Sequence, residues 1–153
     1  MDARKRIRGT VDATARAAAR GAIAAMAMSG VRQATTSLGL VEHTPPEQLL
    51  KHAAPAVFYR VPVNRRPALV ELIHWGVGAA GGAMFGLLPR PIRRRAWSGP
   101  LFGFLFWAGF EATAAKKLGI DPRRQGLGGQ VALLLDHTLY GAVVGSSPWP
   151  HAD

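Results

Sequence analysis

Between Leu133 and Gly145 the chain reads LLLDHTLYGAVVG. Asp136 and His137 stand inside an apolar segment that runs from about Gly126 to Ser146. Tyr140 and two glycines four residues apart, Gly141 and Gly145, follow them. Few folds accept this arrangement. A mostly apolar run of about 20 residues has the length of a membrane-crossing helix. An ionisable pair inside such a helix must face protein or water, and a G-x3-G spacing lets a second backbone approach closely. The stretch therefore predicts a transmembrane helix packed on a neighbour, with its polar groups turned inward.

The energetics point the same way. Eight Leu or Val residues lie between Leu127 and Val144. At about 0.3–0.6 kcal/mol each they favour insertion by roughly 2.4–4.8 kcal/mol, while a central Asp opposes it by about 2.5–3.5. Asp136 nearly cancels the apolar gain, so this helix needs partners.

The rest of the chain supplies them. Hydrophobic residues make up 48% of the 153, yet the mean hydropathy is only +0.08. Apolar segments therefore alternate with strongly polar ones. Residues 1–16 carry Arg4, Lys5, Arg6, Arg8 and Arg16 and read as a basic tail, in part a helical lead-in. The alanine-rich segment after it resembles a signal peptide, but it continues to Leu40, and Arg32 and Gln33 occupy the region where cleavage would fall. It is read instead as a first helix over residues 17–40. Residues 69–88 form a second, with glycines at 76, 78, 81, 82 and 86. In a water-exposed helix each glycine costs about 1 kcal/mol, whereas in lipid small residues permit close packing. Residues 97–118 form a third, apolar on every side, and residues 126–146 the fourth. Residues 148–153 are a short tail.

The longest connection contains Thr44-Pro45-Pro46-Glu47, a capping-box pattern with Thr44 as N-cap and Glu47 at the third helical position. It predicts a short helix to about Ala54. That helix either lies on the membrane surface or folds onto the end of the bundle.

Composition removes several functions. There are no cysteines, so disulfides and thiolate chemistry are excluded. The net charge of +10 lies in clusters between apolar stretches, with no base-stacking platform, which argues against nucleic acid. The clusters fit positive-inside charges and contacts with anionic lipid, the Arg93–Arg94–Arg95 run above all. Six Lys or Arg up to Arg20 and four in the second loop stand against eight in the first and third loops. That bias predicts a multi-pass protein of the plasma (bacterial inner) membrane with both termini cytoplasmic.

His74-x3-Gly78-Ala79-x2-Gly82 matches His137-x3-Gly141-Ala142-x2-Gly145. The match predicts two helical hairpins, helices one and two and helices three and four. Their equivalent glycine faces, Gly78/Gly82 and Gly141/Gly145, are expected to pack at the centre.

A glycine-rich helix, a basic turn and an apolar helix lead to Leu118-Gly119-Ile120-Asp121-Pro122 and Asp136-His137-x-x-Tyr140-Gly141. With Thr44-Pro45-Pro46-Glu47, this order resembles a group of small uncharacterised integral membrane proteins of high-GC bacteria. The architecture is more distantly similar to YagU-type inner-membrane proteins. The resemblance covers about Gly21 to Gly145. It implies a four-helix membrane protein and carries no activity, cofactor or ligand set.

Arg32, His74, Glu111, Asp136 and His137 are the ionisable residues within the helices that could form one cluster. Counted along their helices at 1.5 Å per residue, Arg32, His74, Glu111 and Asp136 fall within about 10 Å of a common level. Arg32 is expected to pair with Glu111 or Asp136. The first reading is a polar network that fixes helix register. A proton or ion path is the alternative. Haem or metal ligation by His74 and His137 is set aside, because they are expected at different depths. Ser29, Ser37 and Ser98 lack the surroundings of a nucleophile. The expected function is thus non-enzymatic and without cofactor. It is that of a structural or accessory subunit binding a membrane protein or a second copy through exposed glycine faces. The competing class is a small transporter or proton-conducting protein.

Overall fold

The computed structural model describes residues 3–37, 45–115 and 126–146. Among them every regular element is helical: α1 (Ala3–Ser37), α2 (Pro45–Ala53), α3 (Pro55–Arg60), a 3-10 turn (Val63–Arg65), α4 (Arg66–Gly86), α5 (Arg90–Arg93), α6 (Ser98–Phe110) continued by a π-helical turn (Glu111–Ala115), and α7 (Gly126–Gly145). The proposed N-cap Thr44, the Leu118-Gly119-Ile120-Asp121-Pro122 stretch and the short tail at 148–153 lie outside the described residues.

The expected tail is not separate from the first helix. α1 begins at Ala3 and runs 35 residues, about 52 Å at 1.5 Å per residue. Alanine and arginine are among the best helix formers, so the basic segment continues the helix. The second helix also starts earlier than expected, at Arg66. Pro67 sits within its first turn, where its missing N–H costs nothing.

α1 pairs with α4, and α6 with α7, as two antiparallel hairpins. Each pairing is a seam of small residues. On α1, Ala13, Ala17, Gly21, Ala25 and Ser29 recur every fourth position and are buried. A methyl group added at Gly78 would sit 2.5 Å from the Ala25 Cβ and 2.7 Å from the Gly21 carbonyl oxygen. One added at Gly86 would lie 2.6 Å from the Thr14 Cα. In the other hairpin, Gly99 lies against Gly141 and Gly145, and Gly103 against the carbonyl of His137. The glycines therefore do not meet at the centre of the bundle. They are consumed inside each hairpin, where two backbones come closer than any side chain would permit.

Larger side chains join the hairpins. Ala24, Met28, Phe85, Tyr140 and Val144 form a buried cluster, with Phe102 and Val143 against it. Ring contacts run Phe85–Phe102 (5.4 Å), Phe102–Phe106 (6.0 Å) and Phe106–Tyr140 (6.1 Å). Midway along α1, Arg20 Nη1 donates to the Ser146 carbonyl just past the end of α7, at 2.5 Å.

A second small core sits at the opposite end. Phe58 of α3 is buried with Leu50 and Val70. The Arg66 guanidinium lies 5.0 Å from its ring centroid and the Lys51 ammonium 5.4 Å. Short amphipathic α2 and α3 thus fold onto the start of α4 while leaving Val57, Tyr59 and Val63 exposed.

Two stretches, Val63–Gly86 and Leu127–Gly145, are long and apolar enough to cross a membrane. Only 28% and 17% of the residues in their most apolar windows are buried. A core helix of a water-soluble protein would be mostly covered. Here Leu72, Val77, Met84, Leu101, Leu105, Leu135 and Leu139 all face outward. α1 falls short of that measure because arginines, Gln33 and threonines dilute it, and α6 because its regular part is only 13 residues long.

Candidate functional site

The ionisable residues of the apolar helices gather at the end of the hairpins nearest α2 and α3. α1 contributes Ser29 and Arg32, one turn apart on one face. α4 contributes Glu71, His74 and Trp75 with the same helical spacing. Because the seam residues at this level are Ala25 and Ser29, α1 lies close enough for short side chains to bridge.

Ser29 is the hub. Its hydroxyl meets the Glu71 carboxylate in a very short hydrogen bond. It lies 3.1 Å from His74 Nδ1 and receives the Trp75 indole N–H at 3.2 Å. It is also 3.1 Å from the Ala25 carbonyl and 3.4 Å from Arg32 Nη2. Arg32 Nη2 donates to the other Glu71 oxygen at 2.5 Å. Both side chains of this ion pair are largely covered, with 14% and 19% exposed.

This corrects the expected pairing. Arg32 forms its ion pair with Glu71, not with Glu111 or Asp136. The reason is position along the helix: Glu71 lies on the α4 face turned to α1, directly across the small-residue seam. The sequence carries this signal as Ser29-x2-Arg32 facing Glu71-x2-His74-Trp75, two i, i+3 pairs at matching ends of antiparallel helices. The cluster is also shallower than a mid-helix site. Glu71 is five residues into α4, about 7.5 Å along its axis.

The other hairpin supplies the remaining groups. Asp136 lies close enough to Arg32 and His137 to interact electrostatically with both. Glu111 stands in the same relation to His137, and His137 to His74. Glu111 opens the π-helical turn, a local widening of the helix often found at functional positions. Its Oε2 is buried without a hydrogen-bond partner among the described residues, as is the Trp107 indole nitrogen one turn earlier. His137 Nδ1 lies 2.8 Å from the Leu133 carbonyl.

The two histidines share a level, which corrects the expected difference in depth. Added methyls at Gly21 and Gly99 would strike the carbonyls of Gly78 and Gly141, then the Cα atoms of Gly82 and Gly145. His74 and His137 each precede the struck glycine by four residues. Tyr140, on α7, reaches the Gly78 carbonyl at 2.5 Å and locks the registers together. Contact across the glycine seams, not the ends of the apolar runs, sets the level.

Chemically, the arrangement ties one covered ion pair, Arg32–Glu71, to a hydroxyl, an indole and an imidazole through hydrogen bonds. The Ser29 oxygen is saturated with hydrogen bonds and is no nucleophile. No group of three or more metal-ligating side chains occurs among the described residues.

No curated protein and no solved structure matches the chain. A family model described as a family of unknown function (DUF6789) matches residues 11–148, which takes in all but the first turns of α1 and every residue of the cluster. The chain belongs to that family.

Proposed function

We propose that this is a four-span integral protein of the plasma membrane, with both termini cytoplasmic, serving as a non-enzymatic structural or accessory subunit. The observation that carries this reading is the apolar girdle. Leu72, Val77, Met84, Leu101, Phe104, Leu135 and Leu139 are exposed on α4, α6 and α7, and in water so large a patch would be a liability. Ser98–Ala115, α6 with its π turn, extends about 27 Å, close to the roughly 30 Å of a hydrocarbon core. α1 exceeds that thickness, so its first turns project past the bilayer on the side of the Arg90–Arg95 turn. There they form a basic collar suited to anionic lipid headgroups.

The glycine faces first expected to bind a partner are occupied within the hairpins. The partner surface in this reading is the lipid-facing girdle, where Gly76 has open space beside it. The distant likeness to YagU-type inner-membrane proteins belongs to the same reading.

The chain has no native cysteine, so single cysteines report topology directly. Val11→Cys and Ile92→Cys should be protected from an impermeant maleimide in intact cells and labelled in lysates. Val63→Cys should be labelled in both. Labelling of all three in intact cells contradicts the topology, and recovery in the aqueous fraction contradicts the membrane reading. Native mass spectrometry in mild detergent should show a stoichiometric complex. A lone monomer that drives ion flux in liposomes would displace the accessory role in favour of transport.

A further inference from the structure

We propose that the cap made by α2, α3 and the start of α4 is a docking surface for anionic phospholipid, with the Arg66 guanidinium as the seat of the headgroup phosphate. This deepens the membrane reading and rests on it. The surface belongs to the leaflet opposite the basic collar.

Helix length sets the depth of the cap. α4 has 21 residues, about 31 Å at 1.5 Å per residue, which matches the roughly 30 Å of a hydrocarbon core. Its far end leads into the arginines of α5. Arg66, its first residue, therefore stands at the other edge of the core, and α3 stands at headgroup level. The exposed side chains suit that level. Val57 is 50% exposed and Tyr59 62%, although Phe58 between them is buried with Leu50 and Val70. α3 thus turns one ring inward and presents an apolar side chain and an amphipathic ring outward. Tyrosine is enriched where membrane meets water.

Arg66 supplies the chemistry. Its Nε donates to the Val61 carbonyl at 3.1 Å. Its guanidinium packs 5.0 Å from the Phe58 ring centroid and 5.4 Å from that of Tyr59. These two rings meet edge to face, 5.3 Å apart. One hydrogen bond and two rings therefore hold the guanidinium in place, while its Nη atoms make no hydrogen bond among the described residues. A guanidinium fixed in this way is a preorganised fork for phosphate oxygens.

Helix stability does not account for this placement. Arg65 and Arg66 stand at the start of α4, with no acidic residue in its first turn. That is the wrong sign for the partial positive charge of a helix N-terminus. No Asp or Glu occurs between His52 and Val70. Of the nearest described carboxylates, Glu47 pairs with Lys51 at 2.8 Å and Glu71 with Arg32. A phosphate suits Arg66 in charge and geometry. A phosphate that carries acyl chains also covers Val57 and Tyr59, which inorganic phosphate would leave bare.

Native mass spectrometry of the full chain in detergent, titrated with phosphatidylglycerol or with phosphatidylcholine, tests the seat. Phosphatidylglycerol should be retained in preference. Arg66→Gln should weaken its retention about fivefold, the worth of one basic residue at an anionic surface. Arg66→Lys keeps the charge without the fork and should restore only part of the loss. Where hydrogen exchange shows that Arg66→Gln loosens α2 and α3, Arg66→Lys carries the comparison. Arg94→Gln, in the collar, should lower retention independently, so that the losses add in the double variant. Depth is read from a nitroxide on the Val57→Cys variant, since the chain has no other cysteine. In phosphatidylglycerol nanodiscs the label should be more accessible to oxygen than to a water-soluble nickel chelate. Equal retention of the two lipids, full recovery in Arg66→Lys, or displacement of the lipid by inorganic phosphate at equal concentration would each overturn the seat. A Val57 label open to bulk water, or broadened by the label of a second copy, would overturn the docking surface. A chain that stays dispersed without detergent undoes the membrane reading itself, whereas one that inserts without lipid preference undoes only the lipid seat.

Discussion

The Tyr140 hydroxyl donates to the Gly78 carbonyl at 2.5 Å, across the boundary between the two hairpins. It reaches there because Gly81 has no side chain. A methyl group at that position would lie 2.7 Å from the hydroxyl oxygen. Tyr140→Phe should therefore weaken the docking of one hairpin on the other by about 0.5–1.5 kcal/mol, the usual net value of such a bond. The drop should appear as a lower melting temperature in detergent. Gly81→Ala should destabilise the protein alone and add little to Tyr140→Phe, because both act on the same contact.

Gly141 is hemmed in by the backbone of α6, with Gly103 Cα 2.8 Å from where its Cβ would lie. Gly141→Leu should pry α6 from α7 and lower thermal stability severely. Gly76→Ala, in open space on α4, should be neutral or slightly stabilising, since alanine is the better helix former by about 1 kcal/mol. Melting curves of the two variants side by side separate seam glycines from exposed ones. An unchanged curve for Gly141→Leu would contradict the seam.

Arg32 and Glu71 should be strongly coupled. Removing one member of a covered ion pair leaves the other charge without compensation and typically costs about 3–5 kcal/mol. Arg32→Ala and Glu71→Gln should each destabilise, and the double variant should lose much less than the sum. A double-mutant cycle by chemical unfolding in detergent measures this. Additive losses would mean the pair is not the cluster's organiser. Asp136→Asn should be milder, because its charge is shared with more distant neighbours.

Phe58 anchors α2 and α3 to the start of α4. Phe58→Ala should cost about 3–5 kcal/mol locally. Hydrogen exchange should then rise in α2 and α3 while the glycine seams stay protected. Uniform loss of protection throughout α1 and α4 would show that the cap and the hairpin unfold as one unit.

The helices themselves were legible in the sequence, because hydrophobic runs and glycine spacing are local properties of the chain. The repeat of His74-x3-Gly78 in His137-x3-Gly141 already announced two like hairpins. Hydropathy could not locate the glycine faces, since a G-x3-G spacing says that a helix approaches but not which one. The fold chose the partner inside each hairpin, where α1 and α6 offer small residues every fourth position.

The cluster divides in the same way. Composition alone singled out Arg32, His74, Glu111, Asp136 and His137, because charge in an apolar helix is expensive wherever it falls. It did not weigh Glu71, which stands too near the start of its helix to look costly. Only the antiparallel register of α1 and α4, fixed by contact across Gly21 and Gly78, carried Arg32 to Glu71 and set Ser29 between them. Residue identity determined which groups must avoid lipid. Tertiary register decided which of them meet, because hydrogen bonds and ion pairs act over a few ångströms and one helical turn of slip removes them.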